Sequence, residues 1–440
     1  MSASPIGYQS WGRYPASRPA RAWRMRWRDE RLPACREAML PYGNGRSYGD
    51  SCLNDAGVLL DTRGLDRFIH FDRTQGVIRC EAGVLLADIL DLVVPTGWFL
   101  PVTPGTRFVT VGGAIANDVH GKNHHRAGSF GRHVRAFELL RSDGSRYLCT
   151  PEQNVDWFGA TIGGLGLTGV IVWAEIELVP IPGPLISVES VRMPSLDAFF
   201  RLSAASDRDY EYTVAWIDCL ARGRALGRGL FMRGNHVRGA PGAVRHRRLQ
   251  PAVPVTPPFS LVNDWTLKPL NALYYHRQRR ERRQRIDHYE PFFYPLDGVR
   301  QWNRLYGPRG FLQYQCVVPH RNGPDTLVRL LERIAEARTG SLLSVLKVFG
   351  DRPSPGWLSF PRPGITLALD FPNRGSRTLE LLARLDELVL EADGAVYPAK
   401  DARMGAALFR HAFPRWRCLR RYADPAFSSD LWRRLGGGCA

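Results

Sequence analysis

Through its first 180 residues the chain reads as short apolar runs separated by turns. Gly57–Asp61 and Val77–Glu81 are rich in apolar and β-branched residues and are bounded by turn residues, which predicts strands. Arg135–Leu140 and Ser145–Thr150 flank Ser142-Asp143-Gly144, a hairpin signal. Leu167–Leu178 predicts a longer strand, and Leu85–Val94 is the best helical stretch of this part. Pro180, Pro182 and Pro184 then punctuate the chain and predict a domain boundary. Beyond them, strand patterns at Tyr212–Asp218, Phe311–Val318, Ser344–Phe349 and Ile365–Phe371 are mixed with amphipathic helices. In Asp325–Arg338, leucines and Ile334 recur at helical spacing, Asp325 is placed to cap, and Gly340 follows. Ser376–Ala392 repeats that logic with Gly394 as its stop. The pattern predicts an α+β fold.

Composition narrows the partners. Hydrophobic residues make up 44% of the 440 residues, as in a folded globular chain. The formal net charge of +18 favours an anionic partner: a nucleotide cofactor, a phosphorylated substrate, an acidic membrane surface or nucleic acid. Eight cysteines are scattered with no Cys-x-x-Cys pair, so they read as mostly reduced, buried thiols. Neither a signal peptide nor a run of about 20 apolar residues is seen, so a cytoplasmic or peripheral membrane location is expected.

One segment stands apart. His276–Arg285 holds six arginines and one glutamate, flanked by Tyr274, Tyr275, Tyr289, Phe292 and Phe293. The plain reading is a solvated helix or loop. The sharper one is a basic, aromatic-edged surface for anionic lipid headgroups. No nucleic-acid-binding motif accompanies it, so nucleic acid is not expected.

The chemistry concentrates in three glycine clusters. Pro41-Tyr42-Gly43-Asn44-Gly45-Arg46-Ser47-Tyr48-Gly49-Asp50 packs glycines whose backbone N–H groups can form a nest for phosphate oxygens. Pro104-Gly105-Thr106 leads to Val111-Gly112-Gly113-Ala114-Ile115-Ala116-Asn117-Asp118-Val119-His120-Gly121-Lys122-Asn123-His124-His125 and then Gly128-Ser129-Phe130-Gly131. Gly163-Gly164-Leu165-Gly166-Leu167-Thr168-Gly169 is the third. Three such loops point to one large ligand bearing a pyrophosphate. The spacing is not that of a Rossmann fingerprint. His120, His124 and His125 lack the carboxylate or cysteine cluster that a metal site needs, so no metal is expected. Gln313 and Gln315 alternate with Tyr314 and share one face of a strand, where an apolar core is the norm; a ligand-facing polar row is expected.

These three clusters resemble the vanillyl-alcohol-oxidase-type flavoproteins, whose FAD domain is of the PCMH type. Within that family the chain is most similar to oxidases of polyprenyl-phosphate-linked pentoses. The similarity continues through Phe311-Leu312-Gln313-Tyr314-Gln315, Leu346-Lys347-Val348-Phe349-Gly350, Asp370-Phe371-Pro372, Tyr397-Pro398-Ala399-Lys400-Asp401 and Ser429-Asp430. The resemblance implies a two-part FAD-binding domain, residues 1–182 completed by 395–440, with an α+β substrate domain on an antiparallel sheet inserted over 183–394. It implies that FAD is held by Gly43, Asn44, Gly45, Arg46, Ser47 and Tyr48, by Gly105, Gly112, Gly113 and Asn117, by His120, Gly121, Asn123 and His124, and by Gly128, Ser129, Gly169 and Val170. Lys400 is the first choice for the catalytic centre, with Lys122, His120 and Tyr48 beside it. Gln313, Gln315, Lys347, Trp216 and Thr366 are implied for the substrate.

The implied reaction oxidises a sugar secondary hydroxyl to a ketone, with hydride passing to flavin N5. A separate NAD(P)H-dependent keto-sugar reductase completes an epimerisation, and the lipid-linked sugar phosphate comes from a membrane surface. Many relatives carry a histidine bonded to the flavin where this loop reads Gly45-Arg46-Ser47, so the FAD is expected to be non-covalent. Thr366 and Ala368 stand where actinobacterial members typically have Asn and Cys, and the match before residue 40 is weak. Two other readings stand beside this one: an oxidase or dehydrogenase of a free sugar, alditol or aldonolactone, and a basic membrane- or nucleic-acid-binding protein on a flavin fold.

Overall fold

The structure is a computed structural model that describes residues 7–238, 250–341 and 343–437. Cys439 lies outside the described residues; the other seven cysteines are free thiols, four of them buried.

Two main sheets build the first part, beside a two-stranded pairing of Trp98–Phe99 with Val179–Pro180. A parallel sheet places Val58–Asp61 between Arg21–Arg24 and Met39–Tyr42. An antiparallel five-stranded sheet runs in the order Phe68–Asp72, Val77–Glu81, Val170–Glu177, Val134–Leu140, Arg146–Cys149. The predicted hairpin joins the last two. The helix Leu86–Val93 buries Leu86, Ile89, Leu90 and Val93 against this sheet. The weakly matching N-terminal stretch is a full partner, because Arg21–Arg24 is a strand and the Trp11 amide donates to Ser47.

An eight-stranded sheet forms the second layer, in the order Arg282–His288, Leu185–Met193, Gly229–Val237, Tyr212–Ile217, Ser344–Phe349, Gly364–Pro372, Phe311–Val318, Ala395–Val396. All its pairings are antiparallel. Period-two alternation gives its strands two different faces. Leu312, Tyr314 and Cys316 join Leu346, Leu367, Leu369, Ala215 and Ile217 in a core covered by the helices Gly323–Glu336 and Ser376–Glu391. The intervening residues, among them Gln313, Gln315, Val345, Lys347, Thr366 and Ala368, face a cleft between this sheet and the glycine loops.

Three expectations change. Asp325 does not cap its helix: the helix starts at Gly323 with Pro324 in its first turn, and Asp325 lies within that turn, where its charge suits the helix N-terminus. His276–Arg285 is neither one helix nor one loop. The helix Asp264–His276 ends there, and the arginines run into Arg282–His288, an edge strand paired with Leu185–Met193. The aromatic residues read as its rim are largely core: Tyr275, Tyr289, Phe292 and Phe293 are buried, so they are not free to enter a lipid layer.

The tail serves both layers. Ala395–Val396 is a strand of the large sheet, and Leu408, Phe409 and Leu419 pack in its core. The chain then returns to the first part, where Phe427 bridges Met39 and Asp430 donates its amide to Leu53.

Candidate active site

The cleft has two chemically different ends. At one end Gly43, Asn44, Gly45, Arg46 and Ser47 curve against Pro104, Gly105, Thr106, Gly112 and Gly113. Gly45 adopts a left-handed φ of +58°, and a Cβ there would lie 2.2 Å from the Tyr42 hydroxyl, so the turn requires glycine. Among the described residues, the main-chain N–H groups of Asn44, Gly45, Arg46 and Ser47 have no acceptor. Orphaned amides of this kind in a half-buried turn are a nest for anionic oxygens. Gly105 lies on the opposite wall with open space where a Cβ would project. The Arg46 guanidinium sits 4.1 Å above the Trp11 ring and packs against Phe108. Burial lowers its pKa, opposed by Asp297. A pyrophosphate-bearing dinucleotide fits this end: backbone donors, one cation and apolar walls.

At the other end the large sheet presents polar side chains. The Gln315 amide nitrogen is 2.8 Å from His120 Nε2 and 3.2 Å from Thr366 Oγ1. The Thr366 hydroxyl donates to the Cys316 carbonyl at 2.8 Å. Having given its proton away, that hydroxyl accepts from Gln315, whose second N–H goes to His120. Nε2 is then the accepting nitrogen of His120, and its proton belongs on Nδ1. Nδ1 faces Lys347 Nζ at 3.1 Å, and Lys347 also donates to the Gly121 carbonyl at 3.2 Å. An Nδ1–H needs a lone pair opposite it, which the Gly121 carbonyl or a neutral Lys347 amine supplies. Electrostatics agree: burial, then Lys122 and Lys400, push the Lys347 ammonium well below its usual pKa. Burial and Lys347 push His120 the same way.

Lys400 completes this end. Its Nζ lies 3.8 Å from the centre of the Tyr48 ring. Burial lowers its pKa, with Asp370 opposing. Burial raises that of Asp370, with a 2.5 Å hydrogen bond from Gln313 and the Lys400 charge opposing. Gln313 and Asp370 are direct partners across adjacent strands, as are Lys347 and Thr366. Lys122 Nζ donates to the Phe293 carbonyl at 3.0 Å, and burial lowers it to about 8.

Of the residues expected at the site, Tyr48, His120, Lys122, Lys400, Gln313, Gln315, Lys347 and Thr366 line the cleft. So do Gly43, Asn44, Gly45, Arg46, Ser47, Gly105, Gly112, Gly113, Asn117, Gly121 and Gly169. Six stand behind its walls. Asn123 binds the Pro101 carbonyl and Glu211. His124 packs on Phe349, 4.3 Å between ring centres. Gly128 turns beside Arg132 and Arg352, Ser129 is buried, and Val170 is a core strand residue. Trp216 packs on Tyr274, under the helix Asp264–His276.

Other residues gain importance only in three dimensions. Asp118 holds a left-handed φ of +39° and accepts from the Gly131 amide and the Ser354 and Ser359 hydroxyls. That anchored turn aims His120 into the cleft. Trp11, Phe108 and Asp297 meet at the Arg46 end from three distant parts of the chain. No local motif marks them. Asp370, inside the Asp370-Phe371-Pro372 match, is the exception whose signal was visible.

A cradle for a dinucleotide, facing a sheet of buried titratable side chains, defines an FAD-dependent oxidoreductase. Comparison with known proteins agrees. Residues 32–150 match the FAD binding domain family. The chain is 39% identical over 409 residues to decaprenylphosphoryl-beta-D-ribose oxidase of Mycolicibacterium smegmatis, covering 89% of this chain and 88% of that one. It is 38% identical over 370 residues to "Uncharacterized protein in mprA 5'region" of Streptomyces coelicolor, covering 80% of this chain and all of that protein. Human delta(24)-sterol reductase is 35% identical over 112 residues, 26% of this chain and 22% of its own. The chain belongs to the decaprenylphosphoryl-β-D-ribose oxidase family of FAD-dependent flavoproteins. Among the described residues no helix is long and apolar enough to cross a membrane.

Proposed function

We propose that the protein oxidises a secondary hydroxyl of a polyprenyl-phosphate-linked pentose to a ketone, the first half of an epimerisation that a separate NAD(P)H-dependent reductase completes. One observation carries the reading. Three half-buried lysines line the cleft here: Lys347 and Lys400 lie near His120, Lys122 acts on Lys347, and Asp370 is the carboxylate that Lys400 faces. Lys400 serves the reacting hydroxyl, and the other two amines, charged once an anion sits beside them, offer a phosphate site that a free sugar leaves unused.

FAD, when bound, supplies the hydride acceptor at its N5 atom. The chain's own groups do the rest. Lys400, lowered toward its neutral form, takes the hydroxyl proton at Nζ, and Asp370 stabilises the ammonium that results. His120, held by Gln315 and Lys347, orients the sugar at the reacting position. Lys347 and Lys122 donate to the phosphate oxygens, whose charge raises the Lys347 pKa so that it takes up a proton from solvent. Arg46 offers no side chain able to bond the flavin, so FAD stays dissociable: acid precipitation is expected to release all of it, and colour retained in the pellet contradicts this.

The decisive measurement is anaerobic bleaching of the flavin by decaprenylphosphoryl ribose against free pentoses, alditols and aldonolactones. Rapid bleaching by the phosphorylated lipid alone is expected. Equal rates with a free sugar favour the free-sugar reading.

A further inference from the structure

The helix Asp264–His276 has an inner face that packs behind the site's wall and an outer face that nothing covers among the described residues. Leu267 is buried with Val262, Tyr306 and Phe311, and this cluster packs on Trp11, Tyr48 and Trp302, all of which line the cleft. Asn271 binds Asp218 at 3.1 Å, and Asn263 caps the helix through the Trp265 and Thr266 amides. The helix is therefore firmly held from within.

Outward the same helix is apolar. Trp265, Pro269 and Leu273 recur at every fourth position, one stripe along its axis. Trp265 is 90% exposed and Leu273 68%, and Leu270 is exposed beside them. The preceding segment adds Phe259 at 65%, with Val255 and Leu261 also exposed. Buried apolar surface is the rule, and a cluster of this kind marks a place where something docks.

The surrounding charge says what. Lys268 lies on the exposed side of the helix, and Arg279, Arg280 and Arg283 lie just beyond its end. Among the described residues these three arginines have no carboxylate within ion-pair distance. Residues 250–280 hold four basic side chains and one acidic one. A protruding tryptophan among aliphatic side chains, rimmed by free arginines, matches the layered chemistry of a bilayer surface, with apolar and aromatic groups below and anionic headgroups above.

We propose that this face docks on a membrane containing anionic lipids, with Trp265 and Leu273 entering the headgroup layer and Arg279, Arg280 and Arg283 binding phosphates. The inner face of the same helix packs behind Trp11, Tyr48 and Trp302 of the cleft wall, so docking sets the cleft near the bilayer. The surface stands on its own exposure and charge, whichever sugar the cleft takes.

The test uses the full-length holoprotein and no turnover, so it is separable from the substrate reading. Co-sedimentation with phosphatidylglycerol-rich vesicles is expected to exceed that with pure phosphatidylcholine by about tenfold or more and to fall with salt. Trp265→Ser with Leu273→Ser, and separately Arg279→Gln with Arg280→Gln and Arg283→Gln, each lower that binding about tenfold at unchanged flavin content. Bromine-labelled lipids quench the parent's tryptophan fluorescence and not that of the Trp265→Ser variant beyond its background. Vesicle binding that is equal for the parent and both variants overturns the proposal. So does a parent that ignores vesicles and instead self-associates while the Trp265→Ser variant stays monomeric, which assigns the face to a second copy of the chain.

Discussion

The two ends of the cleft are built on opposite plans. The cradle uses main-chain donors from a few consecutive residues, Asn44 to Ser47, whose direction is set by backbone torsion at Gly45. The far end uses side chains from five separated parts of the chain, meeting through cross-strand register: Gln313 opposite Asp370, Lys347 opposite Thr366, with His120 and Lys400 arriving from loops. Backbone donors hold a ligand without titrating. Side chains buried beside one another titrate strongly, and each shift at the far end has burial as its first cause. Binding and chemistry are thereby separated along one cleft, so damage to one end is expected to leave the other working.

The sharpest break of that comparison is Lys400→Ala. It is expected to slow flavin reduction by roughly two orders of magnitude or more at unchanged FAD content, read by anaerobic stopped flow. Full speed in that variant removes Lys400 from the chemistry. Gly45→Val is the reciprocal test. A left-handed φ costs a side chain about 1–2 kcal/mol before the contact with the Tyr42 hydroxyl is counted, so FAD affinity falls roughly tenfold or more. Lys400 and His120 keep their surroundings in that variant, and saturating FAD restores turnover.

Asp370→Asn sharpens the contrast through pH. Lys400 acts as a neutral amine, so the rate rises with pH as its ammonium ionises. Asp370 raises the Lys400 pKa; without that charge the pKa falls further and the rising limb moves to lower pH. A limb that stays in place uncouples the pair. The smallest effect is on stability. Burial holds Lys122 at about 8, while the unfolded chain keeps that proton to about 10.4. Between those values the unfolded state binds more protons, so stability rises with pH, by at most about 1.4 kcal/mol per unit. Below the lower value both states are protonated and the slope vanishes. Urea midpoints taken across that window are expected to climb for the parent and to flatten for Lys122→Met.

How much of this was legible in advance follows from the range of the forces involved. Strands such as Phe311–Val318 and Ser344–Phe349 coincide with their sequence patterns because short runs rich in apolar, aromatic and β-branched residues are a local signal read by counting. The glycine loops were legible for the same reason: a backbone nest needs only neighbours in the chain. The Gln313–Gln315 row was visible as polar residues where a core was due, and the cleft-facing side of the sheet is where they lie.

The arginine segment was not legible as an edge strand. Its side chains carry no alternating apolar pattern, and only pairing with Leu185–Met193 holds it extended. Its aromatic neighbours read as a membrane rim, yet Phe292 and Phe293 pack with Phe99 and Tyr212 from far away in the chain. The exposed apolar stripe instead belongs to Trp265, Pro269 and Leu273, which composition alone could not separate from a buried face. Local chain chemistry thus determined the elements, the phosphate-competent loops and the flavin class. Tertiary structure decided which polar groups share a proton, which aromatics are core and which way each helix faces, because burial, and with it every pKa shift and exposed patch, is a property of contacts between residues distant in sequence.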